Sequence, residues 1–187
     1  TIKKDDNRLY IAKMNPVDTS GLELTGGYIM RIDVSNNDND LTFNSKVKGV
    51  GSTMKKTVTW LHHYPDSKEI HPLQQDYIRK YIDTVELLIK SPEYADPVNG
   101  YSKYIDVQSF VYYFIHCELA LNADGYKRSA YFYKEKLKED GTGGKLFAGP
   151  VWDYNLAFGI CNFCNGNVPD AWGYEGCETN PTPAMWT

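Results

Sequence analysis

Apolar side chains recur at helical spacing in two stretches of this 187-residue chain. From Pro72 to Lys90, Leu73, Tyr77, Ile78, Tyr81, Ile82, Val85 and Leu88 fall three or four positions apart, with Pro72 suited to the first turn; the spacing predicts a helix. Asp106 is placed as the N-cap of a second helix running through Val107, Phe110, Val111, Phe114, Ile115 and Leu119. The loop between them, "SPEYADPVNGYSKY", is rich in helix breakers.

Shorter β-branched and apolar runs predict strands at 9–13 ("LYIAK"), at 27–34 ("GYIMRIDV") and at 55–65 ("KKTVTWLHHYP"), the last ended by Pro65. "NNDNDLTF" offers oxygen atoms at Asn36, Asp38 and Asp40, but it lacks the Gly and terminal Glu of a calcium loop and reads as a solvated turn. Adjacent His62 and His63 point to opposite faces of their strand, which is poor geometry for a shared metal. After "LNADGY", the alternation in "SAYFYKEKL" and "KLFAGPVW", joined by "KEDGTGG", predicts an antiparallel hairpin. These elements make an α+β chain.

A content of 42% hydrophobic and 14% aromatic residues suits one well-packed domain. Twenty basic and 24 acidic side chains, a net charge of −4 and no long run of either sign argue against nucleic acid as a partner. Apolar runs such as "FVYYFI" fall far short of the roughly 18 residues that cross a bilayer. The chain starts at Thr1 and stops at "PAMWT", which suggests a segment of something longer. Three of the four cysteines, Cys161, Cys164 and Cys177, cluster in a Gly- and Asn-rich stretch, where a disulfide is more natural than zinc because the histidines lie far upstream.

The candidate chemistry centres on Asp153, a carboxylate set among Trp152, Tyr154, Leu156 and Phe158. Its ordinary explanation is a turn cap. A hairpin reversal centred near Gly141, however, sets Ser129 opposite Asp153 and brings Asp124 to the same end of the sheet, with Asn122 and Asn155 alongside. Two acids with amides on loops suit a divalent metal, phosphoryl transfer with one acid as base and one as metal ligand, or glycoside hydrolysis; spacing does not choose among these.

The order helix, Asp-bearing loop, hairpin, Asp near Phe-Gly is the layout of the catalytic half of a protein kinase. The stretches "ELALNADGYKRSAYFYKEK" and "KLFAGPVWDYNLAFG" closely resemble the CotH (spore-coat protein H) kinase-like family in its secreted bacterial form. "TGGYIMRID", "LQQDYIRKYIDTVELLI" and "YIDVQSFVYYFIHCELALN" resemble that family's Gly-Gly-Tyr strand and its two helices. The resemblance runs from about residue 25 to the end.

What the resemblance implies is a partial atypical protein-kinase-like fold, a single domain segment over residues 1–187 cut at both ends, exported to the envelope or beyond. It implies transfer of phosphate from ATP to serine hydroxyls of a protein substrate with Mg²⁺ or Mn²⁺. Carried over by position, Asp124 is the catalytic-loop Asp that accepts or orients the hydroxyl proton, Asn122 and Ser129 are cofactor-binding, and Asp153 and Asn155 hold metal. Glu118 matches a motif position as well, where structural support is the leading role. The chain departs from the family at Asn155 (often a second Asp), Ser129 (an Asn in other members) and Arg31 (frequently acidic). No stretch reads as the Gly-rich phosphate loop of kinases, which would then lie upstream of Thr1. The resemblance also implies a disulfide between Cys164 and Cys177, worth ~3 kcal/mol by loop closure; Cys117 and Cys161 are expected unpaired, with Cys161–Cys177 the available substitute. A surface module that keeps the fold and binds protein or glycan through its 15 tyrosines is the alternative from another class.

Overall fold

The computed structural model describes residues 14–35, 39–48 and 57–175. Five strands form one antiparallel sheet in the order β2-β3-β1-β4-β5: β1 Tyr28–Ile32, β2 Thr42–Lys48, β3 Thr57–Tyr64, β4 Ala130–Lys134 and β5 Leu146–Ala148. Two helices, α1 Pro72–Ile89 and α2 Val107–Ala120, complete the α+β architecture. The expected strand at 9–13 lies outside the described residues, as do Asn36 and Asp38.

Both helices pack on the sheet face that carries Tyr28, Trp60 and Phe132, because alternation along the strands puts these large rings on one side. Tyr28 stacks on Tyr77 of α1 at 5.9 Å between ring centres, and Phe132 lies 6.0 Å from Phe110 and 6.3 Å from Tyr113 of α2. Trp60 meets Phe132 edge to face at 5.1 Å. The buried Glu86 of α1 would be costly in such a core, but its Oε1 accepts from the Trp60 indole N–H at 3.0 Å and from the Ser45 hydroxyl. That acid fastens α1 to both β3 and β2.

α1 starts with a capping box, in which the His71 ring accepts from the Leu73 N–H and the Gln74 side chain accepts the His71 N–H. α2 starts where expected, with Asp106 Oδ1 accepting the Ser109 N–H at 2.8 Å. His62 and His63 do point apart: His62 packs on Phe43 and His63 on Tyr131.

Two expectations are corrected. Thr42 and Phe43, which close the stretch read as a turn, begin the edge strand β2; "TFNSKVK" has only Phe43 and Val47 as apolar residues, so its strand character comes from pairing with β3. The hairpin reversal centres on Asp140, not Gly141. Phe132 therefore faces Ala148 where the expected centre set Pro150, and Leu137 faces Gly143. A slip of this size, two residues, keeps each side chain on its face.

The hairpin is secured from outside. Lys134, 1% exposed, donates from Nζ to the carbonyls of Gly144 (2.6 Å), Thr25 (2.7 Å) and Glu135 (3.2 Å) and lies 4.3 Å from the Tyr81 ring centre. Gly26 passes so close to this strand that a Cβ there would sit 2.1 Å from the Glu135 backbone.

Candidate functional site

The first acid-bearing loop begins where α2 ends. Leu121 takes the left-handed conformation (φ 46°, ψ 51°) and closes the helix by donating its N–H to Cys117 and Glu118 carbonyls. The chain then winds through a tight turn: the Gly125 N–H bonds the Asn122 carbonyl at 3.0 Å, and the Asp124 carbonyl accepts from Lys127 (3.0 Å) and Arg128 (2.8 Å). Gly125 is required there, since a Cβ would meet the Cys117 sulfur at 2.6 Å. Asp124 ends half-buried, with its carboxylate on the loop between α2 and β4.

The second loop follows β5. Asp153 is exposed and left-handed (φ 59°, ψ 57°), followed by a 3-10 turn at Tyr154–Leu156. The Phe158 N–H then bonds the Ala120 carbonyl at 2.6 Å. The second loop is thus tied to the residue from which the first departs.

Ser129, also left-handed at φ 50°, donates its hydroxyl to Asp153 Oδ2 at 3.3 Å. The strands do not set this contact, because pairing stops at Ala148. Two left-handed, non-glycine residues in contact are uncommon and mark a place where tertiary structure overrides local preference. Asn122 is 3% exposed and accepts the Asp124 N–H on Oδ1 at 3.3 Å, while Asn155 is exposed. The structure therefore gathers Asn122, Asp124, Ser129 and Asp153 at one end of the sheet, with Asn155 on the same turn as Asp153.

Glu118 supports this corner from α2. Its carboxylate accepts from the Tyr126 hydroxyl, from the Gly173 N–H at 2.7 Å and from the Tyr174 N–H at 3.1 Å. It joins the first loop to the 173–174 segment and faces inward. Phe158, which suggested an Asp-Phe-Gly context, lies beyond the 3-10 turn and is 74% exposed, so the likeness is one of order along the chain and not of packing.

The donors near Asp153 are a carboxylate, a hydroxyl and an amide, all hard oxygens that suit Mg²⁺ or Mn²⁺ and not zinc. Among the described residues no three His, Cys, Asp or Glu side chains converge to hold an ion by themselves. The set fits a cation that takes its remaining ligands from phosphate oxygens and water. A cavity of about 270 Å³ lined by Phe43, His62, Pro72, Asp76 and Arg79 among others shares no residue with this corner.

Cys177 lies outside the described residues, and Cys117 and Cys161 are free and buried. Three residues of the corner carried no recognisable signal in sequence. Lys127 is buried, with Nζ 3.0 Å from the Cys164 sulfur and 5.5 Å from the Phe163 ring centre. Tyr126 serves Glu118, and the third, Tyr154, has its hydroxyl 3.7 Å from the Cys117 sulfur.

The family model described as CotH kinase protein matches residues 10–186, nearly the whole chain. The chain belongs to the CotH kinase family. No curated protein and no solved structure matches it. Membership gives the α+β corner a kinase-like frame: the CotH kinase loop after α2 carries Asp124, and the turn after the hairpin carries Asp153. No helix among the described residues is long and apolar enough to cross a membrane.

Proposed function

We propose that this chain carries the phosphoryl-transfer corner of a CotH-type protein kinase, moving phosphate from ATP to serine hydroxyls of an exported protein substrate. The observation that supports this best is the Ser129–Asp153 contact beside the Asp124 loop, in a member of a kinase family. Asp124 orients the acceptor hydroxyl and takes up its proton as the serine oxygen bonds the γ-phosphorus of ATP and ADP leaves with the bridging oxygen. Asp153 and Asn155 hold Mg²⁺ or Mn²⁺, and Ser129 fixes the rotamer of the Asp153 carboxylate. The cation, when bound, supplies neutralisation of the charge that develops on the transferred phosphate. Asn122 holds the backbone under Asp124. A Cys164–Cys177 disulfide belongs to the same proposal; that Cys164 is not among the free thiols supports it.

A thermal-shift titration with ATP and Mn²⁺ tests the proposal. The unmutated protein gains melting temperature, while Asp124→Ala keeps binding but loses serine phosphorylation, and Asp153→Ala loses both. Absence of any shift in the unmutated protein overturns it. A second reading, a binding module without catalysis, draws on Asn155 in place of a family Asp and on the exposed Trp152, Phe158, Ile160 and Trp172. In that case capture of a protein or glycan survives Asp153→Ala.

A further inference from the structure

A second site lies away from the acids, between the first turns of α1 and the β2–β3 side of the sheet. The cavity of about 270 Å³ there is lined by Phe43 and Pro72, which are apolar, and by Gln75, Asp76 and Arg79. His62 lines it too, and its Nδ1 is buried with no hydrogen-bond partner among the described residues. A buried polar nitrogen left unpaired is costly, so a ligand that supplies the missing bond is favoured. Burial lowers the His62 pKa to about 4, which leaves the ring neutral at pH 7, one nitrogen donating and the other accepting. The Phe43 ring, 5.7 Å from the imidazole, continues the same surface.

Toward solvent the charge is uneven. The Arg79 and Asp76 side chains are 51% and 40% exposed, so they stand at the mouth. The Asp76 carboxylate is shared by Arg79 Nη2 at 2.9 Å and Lys80 Nζ at 2.6 Å, which leaves one positive charge over. Size narrows the occupant further: a cavity of about 150 Å³ takes benzene, so this one has room for a single ring with a short substituent. We propose that the cavity binds a small phenol carrying a carboxylate, its ring against Phe43 and Pro72, its hydroxyl on His62 Nδ1 and its carboxylate at Arg79. A hydroxyl suits that nitrogen in either tautomer, since it both donates and accepts. The site shares no residue with the Asp124–Asp153 corner, and its test needs neither ATP nor turnover.

The probe is para-hydroxyphenylacetate, titrated into the protein and followed by NMR of the backbone amides. Signals of Phe43, His62 and Arg79 shift together and saturate with a Kd on the order of 1 mM, as suits so small a ligand. His62→Phe keeps a ring beside Phe43 and removes the nitrogen. Kd for the phenol then rises roughly fivefold, the size of one lost hydrogen bond, while phenylacetate, which lacks the hydroxyl, loses less than about twofold. Arg79→Gln, at an exposed position that leaves the fold intact, weakens both acids roughly threefold. No shift at these amides up to about 10 mM probe, an equal loss for both ligands in His62→Phe, or unchanged affinity in Arg79→Gln would each overturn the proposal. If His62→Phe does not fold, the two ligands are compared on the unmutated protein. Phenylacetate binding roughly fivefold more weakly than the phenol then supports the hydroxyl contact, and equal affinity ends it.

Discussion

The Ser129 hydroxyl donates to the Asp153 carboxylate at 3.3 Å while both residues hold left-handed backbone conformations. Neither strand pairing nor local preference calls for this. Asp tolerates the left-handed region better than Ser does, since a short side chain with a carbonyl oxygen can bond the nearby backbone. Ser129 is the more strained partner.

Ser129→Asn should relieve that strain. Asn enters the left-handed region more readily and still offers a donor to Asp153, so stability rises by about 0.5 kcal/mol. Urea denaturation measures it; a loss of stability would show that the hydroxyl matters more than the backbone.

Asn155→Asp adds a carboxylate on the turn that holds Asp153. Affinity for a divalent cation follows ligand charge, so Mn²⁺ binding in the presence of ATP tightens roughly tenfold. Mn²⁺ titration followed by electron paramagnetic resonance reads this directly. An unchanged affinity would place the cation elsewhere.

Glu118→Gln removes the charge on which Tyr126, Gly173 and Tyr174 converge and points an amide N–H₂ at N–H donors. The expected loss is about 1–3 kcal/mol, with faster hydrogen exchange at Gly173 and Tyr174. Protection that persisted at those amides would mean that the 173–174 segment is held by other contacts.

Acid should weaken the fold through His62. Burial lowers its pKa from 6.5 to about 4. Between those values the unfolded chain binds a proton that the folded chain refuses, so stability falls as pH drops through that window, and above it this group contributes no pH dependence. His63, lowered by burial and by Arg31, adds in the same direction. Melting temperatures from pH 7 to pH 4 fall less steeply in His62→Phe, which keeps ring packing on Phe43. A parallel decline in both proteins would assign the acid sensitivity to other groups.

The helices were legible through their apolar period and a start signal in each, Pro72 in the first turn of α1 and Asp106 as the cap of α2. β4 was legible through its run of aromatics, Tyr131, Phe132 and Tyr133. β2 was not, because Thr42, Asn44 and Ser45 owe their strand conformation to β3 and to Glu86 underneath. The hairpin centre slipped because Gly141, Gly143 and Gly144 all adopt positive φ, and the sequence offers no way to rank reversals among them. Ser129 and Asp153 could still be named as a pair because both lie at the open end of the hairpin, although the loops and not the strand register make their contact. Tyr154 was beyond reach. Its hydroxyl lies 3.7 Å from the Cys117 sulfur on α2, and a tyrosine among aromatics looks like packing until that is seen.

Lys134 has a consequence for where the protein can be cut. One of the three carbonyls around its ammonium belongs to Thr25, ahead of β1, and the Leu137 N–H bonds the Thr25 hydroxyl at 2.9 Å. A shortened version starting at Gly26 would retain every strand and helix described above. It would also leave a cation inside an aromatic cage with an acceptor missing. Thr25, though it precedes β1, therefore belongs to the packed fold, together with the residues from Met14 onward that bond Tyr64 and Gln74.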